Sequence, residues 1–349
     1  MTNHLVFLPH AGVMWLCMAN GEVVTPLKIA PGTADAIWRF SEDGTEFGNI
    51  DQGQKRIGHY KLLDQAPWIQ TLKPPLTLPK RALANDLMIH QGELVVGGHS
   101  QDGEALWIRS PQDDRSWLAI HLPQEVRARG KSVDALFVDG DKLVAIDNMK
   151  IPKWILVYDL TQPFNTAQPL VIPLKSHTTY EKVHVCAEGE HTYALYSTGI
   201  NHGNVHYCVS LLSKKTLTEI ANWSWNKIDG NWSFTGDPLL FDEDLDASET
   251  SREPFFNTVS SMKFCGDFLL LACGGKGLHI GQVPDEQAIF REQVELGEFK
   301  HLPLRGLKSA DRIEQALGMP NNAYVIGKNE AGLLDFELVS FEAMSELFE

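Results

Sequence analysis

The sequence has no cysteine pair at metal-ligand spacing and no long apolar run. Its five cysteines, Cys17, Cys186, Cys208, Cys265 and Cys273, are scattered and odd in number. That pattern excludes a disulfide framework or a CxxC-type zinc site and fits reduced thiols in a cytoplasmic protein. No stretch of about 18 uninterrupted apolar residues occurs, so no spanning helix is expected. The opening MTNHLVFLPHAGVMWLCMANG lacks a basic leader and carries His10 and Gly12 in its apolar part, so it reads as a first strand rather than a signal peptide. Cations are scarce as well: 30 Lys and Arg stand against 45 Asp and Glu, a formal net charge of −15. This balance argues against nucleic acid and anionic membranes, which need clustered cations. A basic protein partner suits it better, although many soluble proteins are acidic for solubility alone.

Helical periodicity and catalytic signatures are equally thin. Ser309–Leu317 has the spacing of two helical turns, and Phe341–Phe348 that of a short terminal helix or last strand. There is no HExxH and no GxSxG, although residues on separate loops can form a hydrolytic triad without any local signature. No catalytic residue, metal ligand or cofactor is therefore assigned.

What the sequence does contain is a repeat. An apolar strand, a Gly followed by an acid, and a second apolar strand recur at Gly92-Glu93, Gly140-Asp141, Gly189-Glu190 and Gly266-Asp267. Glycine supplies the positive φ of a tight hairpin, and the acid tolerates the neighbouring turn position. The four glycines lie 48, 49 and 77 residues apart, and the last interval becomes regular if one unit holds an insertion of about 30 residues. Further units follow around Gly44, at Asn321-Asn322 and near Gly12 or Asn20-Gly21, making seven. Outer strands are expected at Ala105–Arg109, Trp117–His121, Trp154–Asp159 and Pro169–Leu174.

With these repeats the chain resembles the β-propeller superfamily. The resemblance implies an all-β, seven-bladed β-propeller with four-stranded antiparallel blades, one domain over 1–349, and a long insertion at 224–256 in the fifth blade. No unit carries the Gly-His and Trp-Asp combination of WD40 blades, and double glycines of the kelch type occur only at Gly97-Gly98 and Gly274-Gly275. No family function is carried over.

The insertion is the most unusual segment. Trp225, Trp232, Phe234 and Phe241 are followed by Asp242, Asp244 and Asp246, and aromatics rimmed by acids suit the docking of a basic partner. The plainer reading folds these aromatics back onto the fifth sheet as outer strands. Asp242, Asp244, Asp246, Thr250 and Glu253 also match the ligand intervals of a calcium loop, but Ala247 stands where the sharp turn needs glycine. Gly274-Gly-Lys276-Gly sits between strands rather than before a helix, so it reads as a hairpin and not a phosphate loop. His184, His191, His202 and His206 fall within one unit without zinc spacing and read as turn or surface residues. The loop from Asp147 to Trp154 reads mainly as a connector fixed by Pro152.

Two functions follow. The first is a cytoplasmic scaffold that binds a basic protein, for example an inhibitor or immunity-type binder of a toxin or nuclease. The alternative is a propeller hydrolase or lyase with its site in the central channel, where Asp35, Asp86, Asp134, Glu181 and His184 lie near the starts of their units.

Overall fold

The computed structural model describes residues 2–8, 12–19, 22–30, 37–41, 45–51, 55–63, 69–79, 81–109, 116–120, 122–127, 132–147, 153–163, 167–174, 181–201, 204–228, 231–235, 259–291, 296–305, 307, 312–318, 322–328 and 334–349. They fall into two units, Met1–Ser176 and His177–Glu349.

Unit 1 holds four antiparallel sheets, each a meander in chain order. The first is β1 (Thr2–Leu8), β2 (Gly12–Ala19) and β3 (Glu22–Ala30); the second is β4 (Ile37–Phe40), β5 (Glu46–Asp51), β6 (Arg56–Leu62) and β7 (Ile69–Thr77). The third is β8 (Ala82–His90), β9 (Glu93–Ser100), β10 (Leu106–Arg109) and β11 (Trp117–Ala119), followed by the short helix α1 (Gln124–Arg127). The fourth is β12 (Ala135–Asp139), β13 (Lys142–Asp147), β14 (Lys153–Asp159) and β15 (Leu170–Leu174).

Unit 2 holds three sheets. A five-stranded one comprises β16 (Glu181–Glu188), β17 (Thr192–Asn201), β18 (Asn204–Ser213), β19 (Glu219–Ile228) and β20 (Asn231–Thr235). The next is β21 (Ser261–Cys265), β22 (Phe268–Ala272), β23 (Leu278–Gln282) and β24 (Lys300–Leu302), with α2 (Glu286–Arg291) before β24. The last is β25 (Arg312–Gly318), β26 (Asn322–Lys328) and β27 (Leu334–Ser340), closed by α3 (Phe341–Ser345). The structure is thus nearly all-β with few helices, as in a propeller. Among the described residues no helix is long and apolar enough to cross a membrane.

The inner strands are nearly continuous in apolar residues because both of their faces are covered. On the third sheet, Leu87, Ile89, Val96 and Trp107 share a core with Ile50 and Ile57 of the second. The alternate residues Met88, Val95, Leu106 and Ile108 pack with Leu136, Leu143 and Leu156 of the fourth. The same division holds in unit 2, where Leu269 and Leu271 join Tyr196, Val209 and Trp223, while Leu270 and Ala272 join Ala316 and Val325.

All four Gly-acid pairs lie at hairpins, but Gly189 does not adopt positive φ and its connection runs over the three residues 189–191. Gly92, Gly140 and Gly266 have φ of 76°, 55° and 53°. Gly140-Asp141 and Gly266-Asp267 are two-residue connections between paired Asp139↔Lys142 and Cys265↔Phe268, with glycine at the position where the turn demands positive φ. The Gly274 segment is the hairpin between β22 and β23, in which the amide of Cys273 donates to the carbonyl of Gly277.

One expectation is corrected. Residues 312–318 form strand β25 rather than helix. The ladder shifts register between Ile313 and Gln315, and the extra residue brings Ile313 and Ala316 into the same buried cluster. That bulge turns the two-residue period of a strand into a three-residue spacing that imitates a helix.

Candidate functional site

The bulge in β25 has counterparts in other sheets. Near the start of β8 the register shifts between Ala84 and Asp86, and in β16 between Val183 and Val185. Before β12 the amide of Asp134 donates to the carbonyl of Ile146, which also faces Ala135; before β21 the amide of Ser260 does the same to Ala272, which faces Ser261. Five innermost strands therefore carry an extra residue at one register position, occupied by Asn85, Asp134, His184, Ser260 and Glu314, and all five are polar. Bulges of this kind re-aim a side chain at a strand end.

In unit 1 these groups form one polar cluster across three sheets. Asp86 is 1% exposed. Its carboxylate accepts from Nε of Arg39 at 2.8 Å, from the amide of Leu87 at 2.9 Å and from the amide of Leu136 on the next sheet at 2.9 Å. Burial pushes its carboxyl pKa upward, while the Arg39 charge and the two amides pull it back. Asn85 Nδ2 donates to Ser132 Oγ at 2.8 Å, to the Val133 carbonyl at 3.2 Å and to Asp134 Oδ1 at 3.0 Å. Ser132 Oγ in turn donates to Asp134 Oδ1 at 2.8 Å. The close fit extends to Gly98, opposite the bulge: a Cβ there would lie 2.0 Å from the Leu83 carbonyl oxygen, and the Gly98 carbonyl accepts the amide of Val133. Both carboxylates thus join successive sheets through their hydrogen bonds.

In unit 2 the equivalent hydroxyls are also structural. Ser260 Oγ donates to the carbonyls of Ala272 and Ile313, and Ser261 Oγ to that of Ala316. His184 differs: it is exposed, and its Nε2 lies 2.6 Å from Thr198 Oγ1. Of the other channel candidates, Asp35 and the side chain of Glu181 lie outside the described residues.

At the opposite ends of the innermost strands, the hairpin tips present Asp141, Glu188, Glu190 and Asp267 to solvent. Glu188 pairs with Lys214 at 2.5 Å. These tips contribute negative surface in both units.

The stretch read as an insertion divides in two. Residues 224–228 continue β19, and Asn231–Thr235 form β20, a fifth strand on the same sheet. Trp225 pairs with Tyr207 on one side and with Phe234 on the other, and Trp232 pairs with Lys227. Trp225 is half-buried against the core of this sheet. The side chains of Trp232 and Phe234, and all of Phe241, Asp242, Asp244 and Asp246 with the calcium-loop pattern, lie outside the described residues. So do His202 and the connector 148–152, whose flanking Trp154 packs against the core of the fourth sheet. No group of three or more His, Cys, Asp or Glu suited to a metal ion occurs among the described residues. Cys186 is half-buried and Cys208, Cys265 and Cys273 are buried, and none of these four is in a disulfide.

Sequence reasoning missed the Arg39–Asp86 pair and two buried histidines. His59 lies 2.8 Å from Glu46, and burial lowers its pKa against the pull of that carboxylate. His279, 8% exposed, donates from Nε2 to the Lys276 carbonyl at 3.0 Å, and burial lowers its pKa to about 4. The unfolded chain takes up this proton near pH 6.5 and the native chain only near pH 4, so native stability falls as pH drops between those values. The expected loss from His279 is roughly 3 kcal/mol at the acid end, and His279→Gln should flatten that part of the slope in urea titrations at neutral and acid pH.

No family model matches the chain, and no curated protein matches it. Among solved structures it is similar to hydrazine synthase of Kuenenia stuttgartiensis, at 10% identity over 93% of this chain and 88% of that chain, with a TM-score of 0.51. It is also similar to the periplasmic gluconolactonase PpgL of Pseudomonas aeruginosa (14% identity, 97% and 99% coverage, TM-score 0.47) and to Sqt1 of Saccharomyces cerevisiae (8%, 96% and 95%, TM-score 0.46). The meander sheets and the first of these likenesses support a β-propeller-type fold, the class to which the repeat points. They support the fold alone.

Proposed function

We propose that this chain is a non-catalytic binding protein of the cytoplasm, a single seven-bladed ring that holds a basic protein partner. The observation that carries the reading is the inward commitment of Asp86 and Asp134. The described carboxylates best placed for channel chemistry already accept backbone and side-chain hydrogen bonds between sheets. Negative charge instead collects at the hairpin tips and in the segment after β20, where residues 236–258 carry seven acids and one arginine. Surface charge of one sign steers an oppositely charged partner and sets a salt-dependent association rate. A toxin or nuclease held in check by an acidic inhibitor is one partner of this chemistry.

Replacing Asp242, Asp244 and Asp246 together by Asn is expected to weaken binding of a basic partner about tenfold and to flatten its salt dependence. Trp232→Ala should weaken it further at constant salt dependence. Surface plasmon resonance at several salt concentrations separates the two effects, and unchanged affinity in both variants would remove this segment from the site. The rival reading, a propeller hydrolase or lyase, predicts instead that His184→Ala abolishes a hydrolytic activity without altering partner binding.

A further inference from the structure

The sheet β21 to β24 sets two histidines directly opposite each other. His279 of β23 pairs with His301 of β24, and opposed residues of an antiparallel pair hold their Cβ atoms about 4.5 to 5.5 Å apart. The two ring centroids are 5.2 Å apart, with the planes inclined at 65°. Two imidazoles bound as neighbours to one zinc ion, each with a metal–nitrogen distance of about 2.0 to 2.1 Å, have centres about 5 Å apart. The pair is therefore spaced for one ion with no movement of the backbone.

Both rings bring Nε2 to the same turn. Nε2 of His279 lies 3.0 Å from the carbonyl oxygen of Lys276. Nε2 of His301 lies beside Gly277, where a Cβ would come within 2.6 Å of it. Gly277 has φ of 87°, so glycine serves here both for the turn and for the room it leaves beside the ring nitrogen. Nitrogen and oxygen ligands held about 2.1 Å from an ion at a right angle are about 3 Å from each other. The Lys276 carbonyl thus stands where a third ligand next to His279 belongs.

The two rings differ in exposure in a way that suits capture from solvent. His279 is 8% exposed and is flanked on its inner side by its β22 partner Leu271, whereas His301 is exposed. Burial keeps the His279 ring neutral at physiological pH, so no charged imidazolium has to discharge before an ion binds. An ion taken between Nε2 and the Lys276 carbonyl replaces the hydrogen bond that now joins them, and the ring proton moves to Nδ1.

We propose that His279 and His301, with the Lys276 carbonyl, form a binding site for a divalent first-row transition-metal ion, water filling its remaining positions. Two imidazoles and one carbonyl suit copper(II), nickel(II) and zinc, with copper(II) held most tightly, and offer too few oxygens for calcium or magnesium. The set falls short of the four protein ligands of a closed structural zinc site, so the ion exchanges with solvent. When bound it fastens β24, 3 residues long, to β23. The assignment is independent of the basic-partner reading.

The test titrates the intact, chelator-stripped chain with copper(II), nickel(II), zinc and magnesium in turn by isothermal titration calorimetry, and reads the copper(II) form by electron paramagnetic resonance. The expected result is one site tighter than any other on the chain, binding copper(II) above nickel(II) and zinc, with no heat from magnesium. Its affinity should fall at least about tenfold in His301→Ala and in His279→Gln. The copper(II) spectrum should show coupling to two imidazole nitrogens in the native chain and to one in His301→Ala, a readout that decides the matter if His279→Gln fails to fold. Absence of such a site in the native chain, or unchanged affinity in His301→Ala, would overturn the proposal, the second by assigning the ion to other histidines. Loss in His301→Ala with none in His279→Gln would also overturn it, reducing the site to one exposed ring. Equally tight magnesium binding would overturn the class of ion.

Discussion

Asp86→Ala is expected to destabilise the protein by about 2 to 4 kcal/mol, chiefly by leaving buried amides without their acceptor, since the Arg39 side chain is 37% exposed and can turn to water. The Asp86 side chain is 1% exposed and accepts three hydrogen bonds, from Arg39, Leu87 and Leu136, which belong to three successive sheets. Alanine would leave the two amides of Leu87 and Leu136 without the acceptor around which they are arranged, and each orphaned buried donor costs about 1 to 3 kcal/mol. Asp86→Asn keeps the shape and one acceptor oxygen, so its loss should be about half as large. Urea denaturation reads the difference as a fall in midpoint of more than about 1 M for the alanine variant. An unchanged midpoint would mean that this carboxylate is free for work on a ligand, and would revive the channel-centred enzyme.

Trp223→Ala should have an effect of similar size in unit 2, about 3 to 5 kcal/mol, as for other fully buried large aromatics. The indole is 0% exposed. It lies 4.6 Å from the Phe299 ring in a tilted arrangement and donates from Nε1 to the Gly297 carbonyl at 2.7 Å. It therefore ties β19 to the segment leading into β24. Trp223→Phe keeps the aromatic contact and loses the hydrogen bond, which should cost about 1 to 2 kcal/mol. Thermal denaturation of both variants, with hydrogen exchange at the amides around Phe299, distinguishes this anchor from a surface tryptophan, whose removal would leave both readouts unchanged.

These two residues illustrate what the sequence reveals and what it hides. The Gly-acid hairpins were legible because a two-residue turn is a local matter: Gly140 and Gly266 must adopt positive φ wherever their strands end up. The double-sided burial of the inner strands was legible for a similar reason, since continuous apolar runs such as Leu269–Ala272 leave no polar face. The bulges were hidden because a bulge belongs to a pair of strands. Its trace in one strand is a three-residue apolar step, as from Ala84 to Leu87 or from Ile313 to Ala316, and the second of these passed for a helix. The Arg39–Asp86 pair joins different sheets and leaves no local pattern at all. The fifth strand was within reach, because Asp229-Gly230 between two aromatic runs is a hairpin signal. The plainer reading, with these aromatics as outer strands of the fifth sheet, holds for β19 and β20, while the insertion reading draws its boundary too early, at 224. Asp86 and Asp134 stood among the channel candidates, but only the structure gives them a stitching role.

The measurement that bears most directly on the binding role is affinity capture from the native cell with the intact chain as bait. It should be run beside a version lacking 236–258, which spares β19 and β20, and each should be washed at low salt and at about 1 M, where screening falls to about 3 Å. A binding protein predicts one stoichiometric basic partner, held at low salt, released at high salt and lost with the acidic segment. Recovery of the chain alone at low salt, together with an activity that His184→Ala abolishes, would contradict it.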